Sequence, residues 1–187
     1  MGQLQHHLLI ATPAMDDPFF QRSVIYLCEH DDDGAMGLLL NRMTDTSIAE
    51  LVSKMNFMMA DDRRVEPNSV VLLGGPVNLD KGFVLHSKCI PPFERSEAIS
   101  PDIWLTSSLD VLETLGRPNA PEHYLVAIGC CSWSAGQLED ELRHNMWLVA
   151  PCDERILFDI PYGQRWQSAV ALLGISPDDL SQEGGRA

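Results

Sequence analysis

Short runs of hydrophobic, β-branched and aromatic residues, bounded by glycine, proline and polar clusters, predict a chain rich in strands. Two of these strands read as a hairpin, because only His30–Gly34 separates them. A second pair is separated by the turn signal Gly74-Gly75-Pro76. The predicted strands are Leu8–Thr12, Ser23–Glu29 paired with Ala35–Asn41, Val70–Leu73 paired with Phe83–His86, Ile103–Leu105, Tyr124–Ile128, Leu148–Ala150 and Ile156–Phe158.

Hydrophobic residues that recur every three or four positions predict four helices. The first two begin with a capping-box pattern, formed by Ser47 with Glu50 and by Ser107 with Asp110. Glycine ends the second and the fourth, as is usual at helix C-termini. The four helices are predicted to run from Ser47 to Met59, from Ser107 to Gly116, from Gln137 to Met146 and from Trp166 to Gly174.

The order of these elements predicts the fold class. Strands come in pairs early in the chain and helices are inserted between the later strands, so strand and helix do not alternate regularly. We therefore expect an α+β fold, in which a mixed, mostly antiparallel sheet has about four helices packed around it. No repeat or linker divides the 187 residues, so we expect residues 1–187 to form a single domain. Asp61–Asn68 is predicted to be a loop, and the tail after Pro177 is expected to fray.

The charge balance narrows the function classes. The chain has 13 basic and 27 acidic residues and a formal net charge of -14, an excess that repels polyanions. The densest basic pair, Arg63-Arg64, is surrounded by Asp61, Asp62 and Glu66. Because nucleic-acid binders carry a basic stripe or patch, direct nucleic-acid binding is disfavoured.

The cysteines and the lengths of the hydrophobic runs indicate a cytoplasmic protein. Five cysteines without framework spacing argue against a secreted disulfide scaffold. No lysine or arginine precedes Arg22, so the basic region of a signal peptide is missing. The longest apolar run, Val70–Val77, is too short to span a bilayer. We therefore expect a cytoplasmic location without membrane association.

The stretch Gly129–Trp147 carries the densest group of candidate functional residues. Its order predicts a strand, a turn of small residues and then a helix. The N-terminus of such a helix can bind an anion. However, Glu139, Asp140 and Glu141 fall in the first turn, where they complement the helix dipole and repel a second anion. An ordinary capped helix is the simpler interpretation.

Ser134 is a candidate catalytic nucleophile. The segment Ser132–Gly136 differs from the Gly-x-Ser-x-Gly nucleophile elbow only at Ser132, where the elbow has the glycine that allows its sharp turn. The triad also needs an acid and a histidine after the serine. The only later histidine, His144, lies on the departing helix and is poorly placed to reach back. The alternative is a turn serine that caps the helix.

Cys130 and Cys131 are candidates for a redox or nucleophilic role. A reactive cysteine needs its pKa lowered by a cation or by a helix N-terminus. The helix start is close, but no lysine or arginine is adjacent in the sequence. Because adjacent residues face opposite sides of a strand, at least one of the two is expected in the core.

Ligand types for a metal are present, but their spacing is wrong. The histidines His6, His7 and His144 do not show zinc-site spacing. The run Asp31–Gly34 is too compact for a calcium loop of the EF-hand kind. We therefore predict no metal site and no cofactor.

The helix after the turn also carries residues of a candidate pocket. At about 100° per residue, Glu141 and Asn145 fall beside the apolar face of Leu138 and Leu142. Polar groups at the rim of a core need partners, so these residues either tie the helix to neighbouring backbone, which we favour, or line a pocket. The candidate pocket-rim residues are Trp133, Gln137, Glu141 and Asn145.

A set of motifs, in order along nearly the whole chain, resembles the YqgE/AlgH family. The chief departure is Ser132, where the family commonly has glycine, and this leaves the local turn geometry open. The motifs are Leu9–Met15, Asp17–Phe20, Ser23–Tyr26, Gly34–Gly37 with Asn41, Gly74–Val77, Gly82–His86, and a late group of Trp133, Gly136–Glu139, Glu141, Asn145 and Trp147.

The resemblance implies a bacterial cytosolic protein whose bifurcated sheet folds into a pseudo-barrel with helices around it. It brings no catalytic residues. The AlgH label implies a role in transcriptional regulation of alginate synthesis, but it implies no molecular mechanism. The net charge of -14 argues against direct contact with DNA.

The leading hypothesis is therefore a regulatory or interaction protein without catalysis of its own, which acts through a protein partner or a small ligand. The alternatives are a small-molecule-binding protein, or a hydrolase or thiol enzyme that uses the turn Gly129–Gln137. A DNA-binding regulator ranks last.

Overall fold

Strands dominate the fold, which is α+β. The computed structural model describes residues 4–55, 65, 69–176 and 180. The strands found there are β1 (His7–Ala11), β2 (Val24–Asp31), β3 (Gly34–Leu39), β4 (Met43–Ser47), β5 (Val70–Leu73), β6 (Val77–Ser87), β7 (Ser96–Ala98), β8 (Ile103–Thr106), β9 (Tyr124–Ser134) and β10 (Trp147–Pro151). The helices are α1 (Ile48–Lys54), α2 (Asp110–Thr114), α3 (Gln137–Arg143), α4 (Glu154–Phe158) and α5 (Arg165–Leu172), with a 3-10 turn at Tyr162–Gln164.

The strands form one curled sheet that divides at β9. The main path of neighbours is β10-β1-β2-β3-β9-β6-β8-β7, and β4 pairs with β5, which in turn pairs with β9. Only the β5–β9 pair is parallel among these strands. β9 pairs with β5 at Ala127 and Ile128, and with β3 from Cys131 to Ser134. The expected α+β fold, with a mostly antiparallel, bifurcated and half-closed sheet, is confirmed.

Close backbone contact explains the glycines at the fork. Gly129 lies between the two halves of β9 and has a φ of 73°, a conformation that favours glycine. A Cβ at Gly129 would lie 2.6 Å from the carbonyl oxygen of Gly75, and a Cβ at Gly75 would lie 2.1 Å from the Cys130 carbonyl. The glycine pair before β6 therefore allows two chain segments to touch, in addition to turning the chain.

Helices cover both faces of the sheet and complete three hydrophobic clusters. In β1, Leu8 and Ile10 join the cluster that includes residues of α4 and α5. Leu9 faces the other way and joins a cluster with Leu138 of α3, together with Trp133 and Trp147. A third cluster combines α1 and α2 with residues of β5, β6 and β9. Because strand side chains alternate between faces, α3 and α5 pack on opposite sides of β1.

The end of β9 differs from the sequence prediction. The strand was expected to end at Ile128, but it continues to Ser134, and the turn is Ala135-Gly136. Ser132 pairs with Met36 inside the ladder. Extended backbone accepts any residue, so the strand does not require the glycine that the family commonly has at this position.

Two other strand predictions are wrong. Ile156–Phe158 belongs to α4, whose N-cap Asp153 accepts a hydrogen bond from the backbone N–H of Arg155. The proposed pairing of Val70–Leu73 with Phe83–His86 is also wrong, because both segments pair with β9 instead. The predicted hairpin of β2 and β3 is confirmed. The short strands β4 and β7 were not predicted.

Helix starts were predicted with mixed success. The capping box at Ser47 is confirmed, with the Glu50 N–H donating to Ser47 Oγ at 3.1 Å. The box at Ser107 is wrong, because α2 begins at Asp110 without a side-chain cap. The predicted C-terminal part of the first helix at Met59, the loop Asp61–Asn68 apart from Val65, and the tail after Pro177 apart from Leu180 lie outside the described residues. Across the described ranges, no helix is long and apolar enough to cross a membrane.

Candidate functional site

The Gln137 side chain holds the turn between β9 and α3. Gly136 precedes the helix with a φ of 77°. Gln137 Oε1 accepts hydrogen bonds from the Ser134 backbone N–H at 3.1 Å and from Ser134 Oγ at 3.2 Å. The first residue of the helix is therefore tied to the last residue of the strand.

Glu141, one turn further along α3, joins two strands to the helix. Its Oε2 atom accepts hydrogen bonds from the indole Nε1 of Trp133 at 2.9 Å and of Trp147 at 2.7 Å. Its Oε1 atom accepts from Gln137 Nε2 at 3.0 Å. Trp133 is 5% exposed and Trp147 is 3% exposed, and their rings meet edge to face. A half-buried carboxylate needs such partners, because burying an unpaired charge is costly.

The C-terminus of α3 is a Schellman motif centred on Asn145. The Met146 N–H donates to the Glu141 carbonyl, and the Asn145 N–H donates to the Leu142 carbonyl, both at 3.0 Å. Asn145 has a φ of 55°, in the left-handed region that asparagine tolerates. Thr12 Oγ1 donates to the Asn145 carbonyl at 2.6 Å. Asn145 thus positions α3 through its backbone.

A cavity of about 250 Å³ lies beside the Glu141 network. The segment between β1 and β2, the ends of β9 and β10, and α3 all contribute to its walls. The aromatic and acidic side chains in the walls are Phe20, Trp133, Trp147, Asp16, Asp17 and Glu141. Of the four predicted rim residues, Trp133, Gln137 and Glu141 line this cavity and Asn145 does not. Their role in binding stays a prediction.

The hydroxyl of Ser134 is exposed and donates to Gln137. His144 Nδ1 donates to the carbonyl of Asp140 on its own helix at 2.7 Å. The structure therefore does not bring this histidine to the serine. Gly136, not Ser134, occupies the N-cap position of α3.

Cys130 and Cys131 face opposite sides of β9 and are 2% and 1% exposed. They belong to different hydrophobic clusters. Burial raises the pKa of Cys131, and the neighbouring Cys130 raises it further. Cys131 Sγ donates to the Gly74 carbonyl at 3.4 Å. Thiolate chemistry at Cys131 is therefore disfavoured.

The acidic residues in the first turn of α3 have partners within the protein. Glu139 Oε1 accepts a hydrogen bond from His30 Nε2 at 2.8 Å. Hydrogen bonds from its own backbone N–H and from His30 lower the pKa of Glu139. Asp140 pairs with Arg143. In the described ranges, no group of three His, Cys, Asp or Glu side chains is placed to hold a metal ion.

Sequence reasoning missed the wall that Asp16, Asp17 and Phe20 contribute. These residues lie far from α3 in the sequence, and they reach the cavity because β1 pairs with β10, which begins at Trp147. The one available signal was the acidic and aromatic motif Asp17-Pro18-Phe19-Phe20, which served above as evidence of family resemblance and not as a site.

Fold and site together define a class: an α+β protein with a forked, curled sheet and an aromatic, acidic cavity where a short helix meets that sheet. The family model described as AlgH-like matches residues 8–178. The chain therefore belongs to the AlgH-like family, and the resemblance seen in the sequence is confirmed.

Relatives and solved structures agree with this assignment. A UPF0301 protein of Mannheimia succiniciproducens is 52% identical over 98% of each chain, and one of Pasteurella multocida is 51% identical over 99% of each. The solution structure of the AlgH protein from Pseudomonas aeruginosa is 38% identical, with a TM-score of 0.79 over 99% of this chain and 96% of that one. A crystal structure from Corynebacterium diphtheriae, 18% identical with a TM-score of 0.72 over 91% and 87% of the two chains, shares the fold.

Proposed function

We propose that the protein is a regulatory binding protein without catalysis of its own, which takes a small ligand in the cavity beside Glu141. One observation carries the proposal: a single carboxylate accepts both indole N–H groups at the wall of a cavity. Ligand sites are concave, mostly apolar and lined by a few placed polar groups. A ligand that moved Glu141 would therefore act directly on β9, β10 and α3, because the Glu141 carboxylate is hydrogen-bonded to all three.

The geometry of the alternative nucleophiles supports a binding role. Among the described residues, Ser134 makes no hydrogen bond to a histidine, and its hydroxyl is engaged by Gln137. Cys131 is buried and its pKa is raised. A hydrolase or thiol enzyme at the turn Gly129–Gln137 would need an activated nucleophile, so this alternative has less support.

The proposed location is the cytoplasm, where a regulatory protein of this kind would meet metabolites. The five cysteines are free. Free thiols persist in a reducing compartment, whereas secreted domains tend to form disulfides.

The test is a screen of the full-length protein against pools of neutral, anionic and cationic metabolites by two-dimensional 15N–1H NMR. A ligand of the cavity should shift the indole N–H signals of Trp133 and Trp147 and leave the signal of Trp104 on β8 unchanged. It should also raise the unfolding temperature, since a ligand at a hundred times its Kd stabilises the folded state by about 2.7 kcal/mol.

Two substitutions in α3 provide the matched control. Glu141→Gln should weaken binding, and Asp140→Asn, which alters a neighbouring exposed carboxylate, should retain it. Release of a chemical product that Ser134→Ala abolishes would favour an enzyme. If no pool shifts the indole N–H signals of Trp133 and Trp147 or raises the unfolding temperature, the cavity does not bind a small ligand.

A further inference from the structure

The cavity beside Glu141 combines aromatic rings with carboxylates. Phe20, Trp133 and Trp147 supply the rings, and the rings of Phe20 and Trp147 meet at 6.0 Å between centroids. Asp16, Asp17 and Glu141 supply the carboxylates. Aromatic faces attract cations through the ring quadrupole, and this attraction grows when the cation is desolvated.

Within the part of the chain that the structure describes, no positive side chain in the cavity wall balances these carboxylates. None of the described lining residues is lysine, arginine or histidine. Nearby guanidinium groups are engaged elsewhere: Arg143 pairs with Asp140, and Arg42 donates to the Phe19 carbonyl while lying over the Phe19 ring. The wall of the cavity is therefore negative.

Glu141 retains capacity to accept a further hydrogen bond. An ionised carboxylate offers about four acceptor positions. Three are used, two on Oε2 by the indoles and one on Oε1 by Gln137. These neutral donors satisfy lone pairs but leave the negative charge in place. A cationic ligand would be attracted by this charge, and a ligand with an N–H group would also donate a hydrogen bond to the acceptor position that remains.

The segment between β1 and β2 takes part in two cation–π contacts within the protein, one through its Phe19 ring and one through its Arg22 guanidinium. The Arg42 guanidinium lies 4.4 Å from the centroid of Phe19, next to Phe20 in the sequence. The Arg22 guanidinium lies 5.4 Å from the centroid of the Trp166 ring. The same type of contact is therefore used twice around the loop that forms one wall.

We propose that the cavity binds an organic cation, an alkylammonium group held between the aromatic walls and the carboxylates of Asp16, Asp17 and Glu141. This inference rests on the proposed binding function and names its ligand class. The volume of about 250 Å³ lies just below the usual range for ligand pockets, roughly 300–1,000 Å³, so the occupant is a small amine or the end of a lysine side chain.

The experiment compares choline with its neutral isostere 3,3-dimethylbutanol, in which carbon replaces the charged nitrogen. Both are titrated into the full-length protein while the indole N–H signals of Trp133, Trp147 and Trp104 are followed. Choline should shift the first two and leave the third. The neutral isostere should bind about tenfold more weakly, as expected for loss of a desolvated cation–π contact. N-acetyl-lysine methylamide, titrated in parallel, distinguishes a small quaternary ammonium ligand from the primary ammonium of a partner's lysine side chain.

Two double variants test the carboxylates without breaking the Glu141 network. Asp16→Asn with Asp17→Asn removes two charges at the cavity, and an asparagine at 17 can still accept the hydrogen bond that the Phe19 N–H gives to Asp17. This variant should bind choline about threefold to tenfold more weakly, the range expected for two exposed ion pairs. Asp102→Asn with Glu122→Gln removes two exposed charges outside the cavity and should bind normally.

The outcomes separate this inference from the proposed function. Binding of choline or of the lysine derivative, with rejection of the isostere, supports the organic cation. Equal affinity for choline and the isostere, or unchanged affinity in the Asp16 and Asp17 variant, overturns it. If neither cation shifts the Trp133 and Trp147 signals but a neutral or anionic metabolite does, the inference is wrong while the binding function stands. If no compound of any charge shifts them, both are wrong.

Discussion

Glu141 connects more of the candidate site than any other single residue described. Its carboxylate lies between a residue of β9, a residue of β10 and its own helix. The net value of a hydrogen bond to stability is modest, but a buried donor left without an acceptor costs its full desolvation penalty. The two indole N–H groups therefore make Glu141 sensitive to truncation, whatever the ligand.

Replacing Glu141 by alanine is expected to lower the free energy of unfolding by about 2–6 kcal/mol. The reason is that two buried indole N–H groups lose their acceptor at about 1–3 kcal/mol each. Glu141→Gln keeps one amide oxygen as an acceptor and should cost about half as much. Urea unfolding followed by tryptophan fluorescence measures both.

Asp140→Ala is the control, because it removes an exposed ion pair on the same helix and should cost less than about 1 kcal/mol. A Glu141→Ala variant as stable as Asp140→Ala would show that the indole N–H groups find other partners.

His86 is a second residue whose burial has a measurable consequence. Its side chain is fully buried, Nδ1 donates to the Ser87 carbonyl at 2.7 Å, and Nε2 accepts from Thr106 Oγ1 at 2.8 Å. Ser96 Oγ donates to Thr106 Oγ1 in turn. Burial lowers the pKa of His86, although the hydrogen bond to Ser87 opposes the shift.

Stability is therefore expected to fall as the pH decreases below about 6.5. Because the pKa of His86 is lower in the folded than in the unfolded state, the unfolded chain binds the proton first. At pH values between the folded-state and unfolded-state pKa of His86, each unit of pH decrease then lowers the free energy of unfolding by up to about 1.4 kcal/mol. Urea midpoints from pH 5 to 7.5 measure this slope. His86→Gln should flatten it, and identical slopes for variant and wild type would contradict the assignment to His86.

At the scale of elements, α3 is defined by its two ends more than by its length. It has seven residues, and isolated helices of that length do not form in water. Gly136 with the Gln137 side chain fixes its start, and the left-handed Asn145 fixes its end. Within the described residues the Asn145 side chain makes no hydrogen bond. The left-handed backbone conformation, and not a contact of the side-chain amide, therefore explains why asparagine occupies this position.

Asn145→Gly should therefore leave the free energy of unfolding unchanged or raise it slightly, whereas Asn145→Ala should lower it by about 1 kcal/mol. The difference arises because a Cβ in the left-handed region costs roughly 1–2 kcal/mol, a penalty that asparagine partly escapes and glycine avoids. Urea unfolding of both variants measures the difference.

The indole N–H signals of Trp133 and Trp147 should stay unchanged in Asn145→Gly, since the backbone path is preserved. If glycine destabilised the protein as much as alanine, the asparagine amide would have to be making a contact of its own.

Elements with a local signal were predictable from the sequence, and elements set by distant contacts were not. The Ser47 capping box and the hairpin of β2 and β3 depend on neighbouring residues, and both are confirmed. The extension of β9 through Gly129 depends on Gly75 and on pairing with β3, which no local pattern reports. A short apolar run such as Ile156–Phe158 fits a strand or a helix equally well. In the structure this run is helical, and the Asp153 side chain caps the start of the helix.

The candidate site shows the same division. The position of Glu141 beside the apolar face of its helix was readable from helical periodicity. That its partners are Trp133 and Trp147 required knowledge of which strands flank α3. Asp16 and Phe20 reach the cavity only through the fold of the whole sheet. A single sequence therefore identifies the residues of one helix but not the opposite wall.

For the whole molecule, the dominant quantity is the net charge of -14. Charge of one sign keeps a protein soluble and repels polyanions, but it also destabilises the compact state by self-repulsion. Two ion pairs between arginine and carboxylates, Arg143 with Asp140 and Arg155 with Asp153, join mainly exposed groups close together on the chain. Such pairs contribute little to stability.

Added salt is therefore expected to stabilise this protein. The Debye length shrinks from about 30 Å at 0.01 M to about 10 Å at 0.1 M ionic strength, so repulsion between distant carboxylates is screened first. A gain on the order of 1 kcal/mol corresponds to a rise of about 2–4 °C in the unfolding temperature for a chain of this size. Thermal unfolding in sodium chloride from 0.01 M to 0.2 M measures it.

Asp32→Asn with Asp33→Asn separates self-repulsion from general salt effects. Both residues lie exposed at the tip of the β2–β3 hairpin, and the substitutions remove two negative charges without touching the core. If repulsion dominates, this variant should be more stable than the wild type at 0.01 M salt and should gain less from added salt, because there is less repulsion to screen. An unfolding temperature that falls with salt would mean that attractive pairs outweigh the excess of acidic residues. In that case the negative charge would be locally compensated, and the protein would repel polyanions less strongly than its net charge suggests.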